Sequence, residues 1–335
     1  RMQEPSAEPM TLDTIFDMAS CTKATSTASA VMLLVQDGKI GLDDPVAKHV
    51  PEFTHKDKDS ITILSLLTHC SGLPAYTNAQ YLEEHYGPRP KPDALIQRIS
   101  ELPVQGSVGE KYIYSCLNYL VLARVVQNVC GENMSDFLRE RLWSPLGMKE
   151  TTFYLNEKQL AQTAPTIYEK GTLRRGLVHD PLAYYSVCEK YAPGNAGMFS
   201  TAEDLSRYVR MILKGGTWGR RTVFTPDTWA RITTNQSPST LDTKRSCGWG
   251  IWTENAYATP LNNSPETAVL GHTGYTGTLI WMDKLSKCYV IFLSNCVYPE
   301  DKSETKDAVI QGRRRIISVL LDHLEMYRGV RNESK

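Results

Sequence analysis

The stretch that most constrains the fold runs from Asp13 to Gly38, DTIFDMASCTKATSTASAVMLLVQDG. After Lys23 it becomes a run of Ala, Thr, Val, Met and Leu that reads as a buried helix closed by Gly38. A helix without a polar face has to be covered by other elements, so the chain is organised around this one. Ser20 and Lys23 stand three residues apart at its entry. A helix beginning at about Ser20 puts both side chains on one face, about one turn apart. It also sets Ser20 at an N-terminus, where free N–H groups and the helix dipole favour a developing negative charge. Lys23 is then the candidate acceptor of the Ser20 hydroxyl proton, with its pKa lowered by burial or a neighbouring cation. Ser-x-x-Lys alone equally describes a serine N-cap followed by a solvated lysine, so the rest of the chain has to decide.

At 335 residues the chain is long enough for one large two-lobed fold or two domains. It is 41% hydrophobic and 22% charged, with a formal net charge of zero. That composition suits a globular protein and gives no basic field for nucleic acid or an anionic membrane. The apolar runs near Ala30–Val35 and Tyr289–Leu293 are far too short to cross a bilayer. Eight scattered cysteines form no C-x-x-C pair and read as free thiols, and the seven histidines include no H-E-x-x-H, so neither a metal nor another cofactor is expected.

In chain order, the segment KIGLDDPVAKHVPEF is turn-rich, and Ser60–Pro74 has the periodicity of a short helix stopped by Gly72 and Pro74. His69, in its last turn, reads as a structural residue. Residues Ala75 to Pro103 are polar and irregular, with a helix from Asp93 to Glu101. Tyr114 stands at the entry of an apolar helix that ends at Gly131, where its hydroxyl could face a cleft and relay a proton. A further helix spans Ser135 to Trp143. Ser200 as N-cap and Glu203 at N3 predict a helix ending at Gly215-Gly216. Segments Cys247–Trp252, Thr267–Thr273, Thr276–Asp283 and Lys287–Leu293 are rich in β-branched and aromatic residues and predict three consecutive antiparallel strands. Helical periodicity resumes from Lys306 to Tyr327, with Ile310, Ile316, Ile317, Leu320, Leu321 and Leu324 as the stripe that packs on the sheet.

FDMASCTK around Ser20, LLTHCSGLP, YSCLNY from Tyr114, PLGM, AGMFSTAEDLSRY and GHTGYTGTLIWMD around His272 resemble, in order, the motifs of the serine β-lactamase and penicillin-binding protein superfamily. The resemblance is to the branch of class C β-lactamases, D-alanyl-D-alanine carboxypeptidases and esterases. It implies an α+β (α/β sandwich) fold, an antiparallel sheet flanked by helices with a mostly helical lobe inserted. The sheet lobe is expected from residues 1–45 and 195–335 and the helical lobe from 46–194. By the same resemblance Ser20 is the acylated nucleophile, Lys23 the proton acceptor and Tyr114 the proton relay. His272-Thr273-Gly274 is the third motif, on a strand edge open to a peptide-like substrate. The backbone N–H groups of Ser20 and Tyr275 are the implied oxyanion hole, worth on the order of 3 kcal/mol each.

Three positions depart from the family pattern. Cys116 stands where the second motif usually has Asn, and a thiol is a poor substitute donor; Asn118 is the alternative amide. His272 stands where Lys is common, and it supplies a full positive charge only below about pH 6.5. Nineteen residues precede Ser20, fewer than is usual, which leads us to expect a natural product longer at its N-terminus. The function implied is a serine acyl hydrolase of small esters or D-amino-acid amides; the alternatives are a class C-type β-lactamase and a weak pseudoenzyme used for binding. The expected partner is a small molecule or short peptide, with no nucleic acid and no membrane span. The resemblance points to the bacterial periplasm or exterior, the free-looking cysteines and absent signal segment to the cytoplasm, and the sequence assigns no oligomeric state.

Overall fold

The computed structural model describes residues 7–54, 57–169, 172–253, 257 and 269–333, with the side chains of the last helix described as far as residue 323. The buried helix after Lys23 is present in two parts: a π-helical turn, Lys23–Thr27, and α1 (Ala28–Gln36), buried continuously from Lys23 through Leu34. Gly38 ends it at φ 68°, and the Lys39 N–H then reaches the Leu34 carbonyl at 2.9 Å, a closure that needs a left-handed residue in between. Upstream, β1 (Phe16–Asp17) pairs antiparallel with β2 (Phe199–Ser200), which fixes the approach of the chain to Ser20.

Helices cover α1. The short α2 (Ile63–Leu67) starts on a reciprocal Thr62–Ser65 capping box. The longer α3 (Cys116–Cys130) is N-capped by Ser115 and, as its sequence predicts, is stopped by Gly131, here at φ 73°. Between them the segment expected to hold one helix holds two, Ala79–Tyr86 and Pro92–Glu101. Downstream lie α4 (Pro181–Ser186), capped by Asp180, and α5 (Ala202–Leu213). The predicted cap of α5 is off by one residue. Ser200 is drawn into β2 and shares a hydrogen bond with Thr151 at 2.9 Å, so Thr201 becomes the N-cap and accepts from the Asp204 N–H.

The C-terminal third forms one antiparallel sheet of five strands rather than three: β3 (Lys244–Arg245), β4 (Gly250–Trp252), β5 (Val269–Thr273), β6 (Leu279–Asp283) and β7 (Cys288–Phe292), in the order β7-β6-β5-β4-β3. The start of the predicted Thr267–Thr273 strand lies outside the described residues. Side chains of β6 alternate between two layers. Ile280 and Met282 join the core that holds α1, while Leu279 and Trp281 pack with Val269 against Ile317, Leu320 and Leu321 of α6 (Ser303–Glu333). Two buried faces explain why β6 is apolar along nearly its whole length. The predicted stripe of α6 is correct at Ile317, Leu320 and Leu321. It fails at Ile316, which is 44% exposed because it falls off the sheet-facing side; the Leu324 side chain lies outside those described.

Candidate active site

Ser20 sits in the turn between β1 and the π-helical segment. Its predecessor Ala19 has φ 44°, a conformation that costs a residue with a Cβ, and the Asp17 carboxylate holds it there by accepting the Ala19 N–H at 2.9 Å. The hairpin joining β5 to β6 is fastened to the same turn. Thr276 Oγ1 donates to the Asp17 carbonyl at 2.8 Å, Thr278 Oγ1 to the Met18 carbonyl at 3.1 Å, and Cys21 Sγ to the His272 carbonyl at 3.4 Å. Gly274 permits this approach, because a Cβ there would overlap the Thr278 hydroxyl and stand 2.7 Å from the Met18 carbonyl oxygen.

Lys23 is fully buried, and each of its three ammonium protons has an acceptor: Ser20 Oγ at 3.0 Å, the Asn195 carbonyl at 2.8 Å and Cys116 Sγ at 3.4 Å. The sequence leads us to expect a lowered pKa here. Burial does push that way, but the coulombic influence of the neighbouring Cys116, Tyr114 and Asp180 outweighs it and the pKa is raised. Lys23 therefore holds its proton.

Tyr114 reaches the same place from the entry of α3, with Lys23 Nζ 5.1 Å from its ring centre. The segment carrying it is held by His69. The His69 carbonyl accepts from the Ile113 N–H at 2.9 Å, its Nδ1 accepts from the Ser115 N–H at 3.1 Å, and its ring lies 4.5 Å from that of Tyr114. Burial keeps His69 neutral, well below the usual histidine range, with Arg245 and Lys23 adding to the effect. The structural reading of His69 holds, with a specific purpose. Asn118 does not stand in for the missing amide, because its Oδ1 accepts from Ser71 at 2.7 Å and the residue is wholly buried beside His69.

Of the third motif, Thr273 and Gly274 line the crevice, together with Tyr275 after it, Ser20 and Tyr114. His272 is 4% exposed, is bonded through Nδ1 to the Thr273 carbonyl, and is kept neutral by burial and the nearby Arg245 and Lys23 charges. It supplies no positive charge to a substrate carboxylate in the range near pH 6.5, contrary to expectation. Tyr275 is half exposed; its hydroxyl donates to Asp301 at 2.8 Å, and Lys306 donates to it at 2.9 Å. The ring of His179 stacks on it at 5.2 Å. Neither the Ser20 nor the Tyr275 backbone N–H has an acceptor among the described residues. Sequence reasoning missed Asp17, Asp180 and Asn195; Asn195 acts on Lys23 through a main-chain carbonyl, which leaves no mark in a sequence. Among the described residues no three His, Cys, Asp or Glu side chains come together as a metal site requires, and no helix is long and apolar enough to cross a membrane. All eight cysteines are free.

The third motif, expected on a strand edge, instead ends β5, the middle strand of the five, and a hydroxyl, an ammonium and a phenol gathered beside it suit a serine hydrolase, with which comparison with known proteins agrees. The sequence matches the Beta-lactamase family over residues 3–313. It is 30% identical over 314 residues to a Salmonella agona protein named "Putative D-alanyl-D-alanine carboxypeptidase", covering 85% of this chain and 70% of the relative. Among solved structures, a β-lactamase/D-alanine carboxypeptidase from Yersinia pestis, complexed with citrate, superposes with a TM-score of 0.68 at 20% identity, covering 95% of this chain and 87% of that one. EstCE1, a hydrolase with promiscuous acyltransferase activity, does so with 0.66 at 21%, covering 90% and 86%. The chain belongs to the β-lactamase family and is a serine hydrolase.

Proposed function

We propose that the chain hydrolyses small esters or D-amino-acid amides through an acyl ester formed on Ser20. The observation that carries this reading is the 3.0 Å contact between Lys23 Nζ and Ser20 Oγ, at a crevice that Tyr114 also lines. As Oγ attacks the carbonyl, the Tyr114 phenol takes the Ser20 proton while passing its own on towards the leaving oxygen or nitrogen, and the adjacent Lys23 ammonium stabilises the charge that develops. The Ser20 and Tyr275 N–H groups receive the tetrahedral oxyanion. The leaving group departs with the relayed proton, and water then attacks the acyl ester, its proton passing through the same phenol back to Ser20 Oγ as the acid is released. The thiol of Cys116 offers a substrate amide little, which favours esters over peptides and β-lactams. The name of the Salmonella relative supports the D-alanyl class, and EstCE1 supports acyl esters.

Intact-protein mass spectrometry after mixing with p-nitrophenyl esters, D-Ala-D-Ala peptides and β-lactams tests this. The expected outcome is an adduct on Ser20 that is lost in Ser20→Ala and Lys23→Ala, with turnover about 100-fold slower or worse in Tyr114→Phe. Normal ester turnover by Lys23→Ala overturns the mechanism. Nitrocefin turnover at many cycles per second would assign the chain to the β-lactamases instead.

A further inference from the structure

The crevice has two arms that meet at Ser20, and Tyr114 and Tyr275 border both. One, about 310 Å³, runs beneath α6 and is lined by Lys306 and Arg313. Lys306 is paired with Asp301, whereas Arg313 donates to the Gly277 and Thr278 carbonyls and leaves that arm net positive. The other, about 400 Å³, is lined by Tyr76, Cys116, His179 and Asp180; among the described residues Asp180 is the one carboxylate on its wall, with the Lys23 ammonium bonded behind Ser20 and Cys116. His179 does not offset it, because burial pulls that imidazole below its ordinary range.

Asp180 is held by neutral donors. Its Oδ1 accepts from the Ala183 N–H at 2.9 Å and from Asn195 Nδ2 at 2.9 Å, and its Oδ2 from the Tyr76 hydroxyl at 3.1 Å. No lysine or arginine forms an ion pair with it among the described residues. A carboxylate beside the faces of Tyr76 and Tyr114 suits a cationic amine, which takes both ionic hydrogen bonds and ring contacts.

We propose that the Asp180 arm receives the acyl part of the substrate and selects an acyl group that carries a protonated amine, as in aminoacyl esters and amides. This rests on the hydrolase reading above and refines its substrate class: the positive arm under α6 suits a carboxylate-bearing leaving part, so the acyl part lies on the acidic side. Hydrolysis itself is unchanged: the acyl–oxygen or acyl–nitrogen bond is exchanged for the Ser20 ester, and water then yields the amino acid.

The test compares D-alanine methyl ester with methyl isobutyrate, which has the same shape and no charge, each rate divided by its hydroxide-catalysed rate. The wild type is expected to favour the amine by about tenfold or more, the scale of one charge-assisted hydrogen bond. Asp180→Asn, which keeps the helix-capping oxygen, is expected to bring the ratio close to one. Should that variant not fold, propylammonium chloride added to the wild type is expected to inhibit isobutyrate hydrolysis competitively. Equal normalised rates in the wild type, an undiminished ratio in Asp180→Asn, or no inhibition by the amine overturns the proposal while leaving the hydrolase reading intact. Absence of turnover and of any Ser20 adduct with either ester overturns both.

Discussion

Asp17 lies three residues before Ser20, is 5% exposed, and accepts the N–H groups of Ala19 and His179. Burial pushes its pKa up from 3.8 to about 6; the two N–H bonds pull the other way, and Asp180 adds to the rise. The unfolded chain thus releases this proton near pH 4 and the folded chain near pH 6. Between those values the folded state binds more protons, so this group's contribution to stability falls as pH rises and is level on either side. Two pH units correspond to ~3 kcal/mol. Urea unfolding of the wild type from pH 4 to 7, compared with Asp17→Asn, is expected to show that decline only in the wild type; parallel profiles would refute it. Ser20 and Lys23 were legible in the sequence because their three-residue spacing stands at the head of a buried helix and the later motifs follow in order. Asp17 was not, because one of its partners is 162 residues away.

At the scale of elements, the short connection from residue 113 to 115 positions Tyr114, and His69 grips it by two main-chain hydrogen bonds and a ring contact. His69 itself has φ 61°, which asparagine tolerates better than most residues. His69→Asn keeps that backbone and an acceptor near Ser115 but loses the ring. His69→Phe keeps a ring and leaves the Ser115 N–H buried without a partner, at a cost of about 1–3 kcal/mol. The expected outcome is a kcat for p-nitrophenyl acetate lowered about tenfold in His69→Asn with a small stability loss, and a larger loss of both in His69→Phe. An unchanged kcat in both variants would leave His69 with a packing role alone. Periodicity made β6 and most of the α6 stripe legible, since burial on two faces or one writes itself into their residues, while the helix Ala79–Tyr86 and the short strand β3 were missed. Caps were less legible: Ser200 and Thr201 have equivalent side chains, and only the pairing of β2 decides between them.

At the scale of the whole molecule, α6 is the outer layer of the sheet. Removing residues from Ser303 onward uncovers Val269, Leu279 and Trp281, each now fully buried, and forfeits about 5 kcal/mol or more of apolar burial. Such a truncated chain is expected to be insoluble or to bind hydrophobic dyes without a cooperative unfolding transition; a soluble, cooperatively unfolding product would contradict the layer assignment. The antiparallel sheet flanked by helices was legible from the change in residue pattern along the chain. The chemistry of the two arms was not, because their walls combine residues as far apart as Tyr76 and Tyr275, and no periodicity records which loops become neighbours.

The turn that carries Ser20 is tied to the β5–β6 hairpin by contacts between residues 251 to 260 positions apart. Catalytic competence is therefore acquired at the end of folding, when the most distant parts of the polypeptide have met. Recovered turnover after dilution from denaturant would time that final event, lagging behind the return of helical signal from segments that close locally.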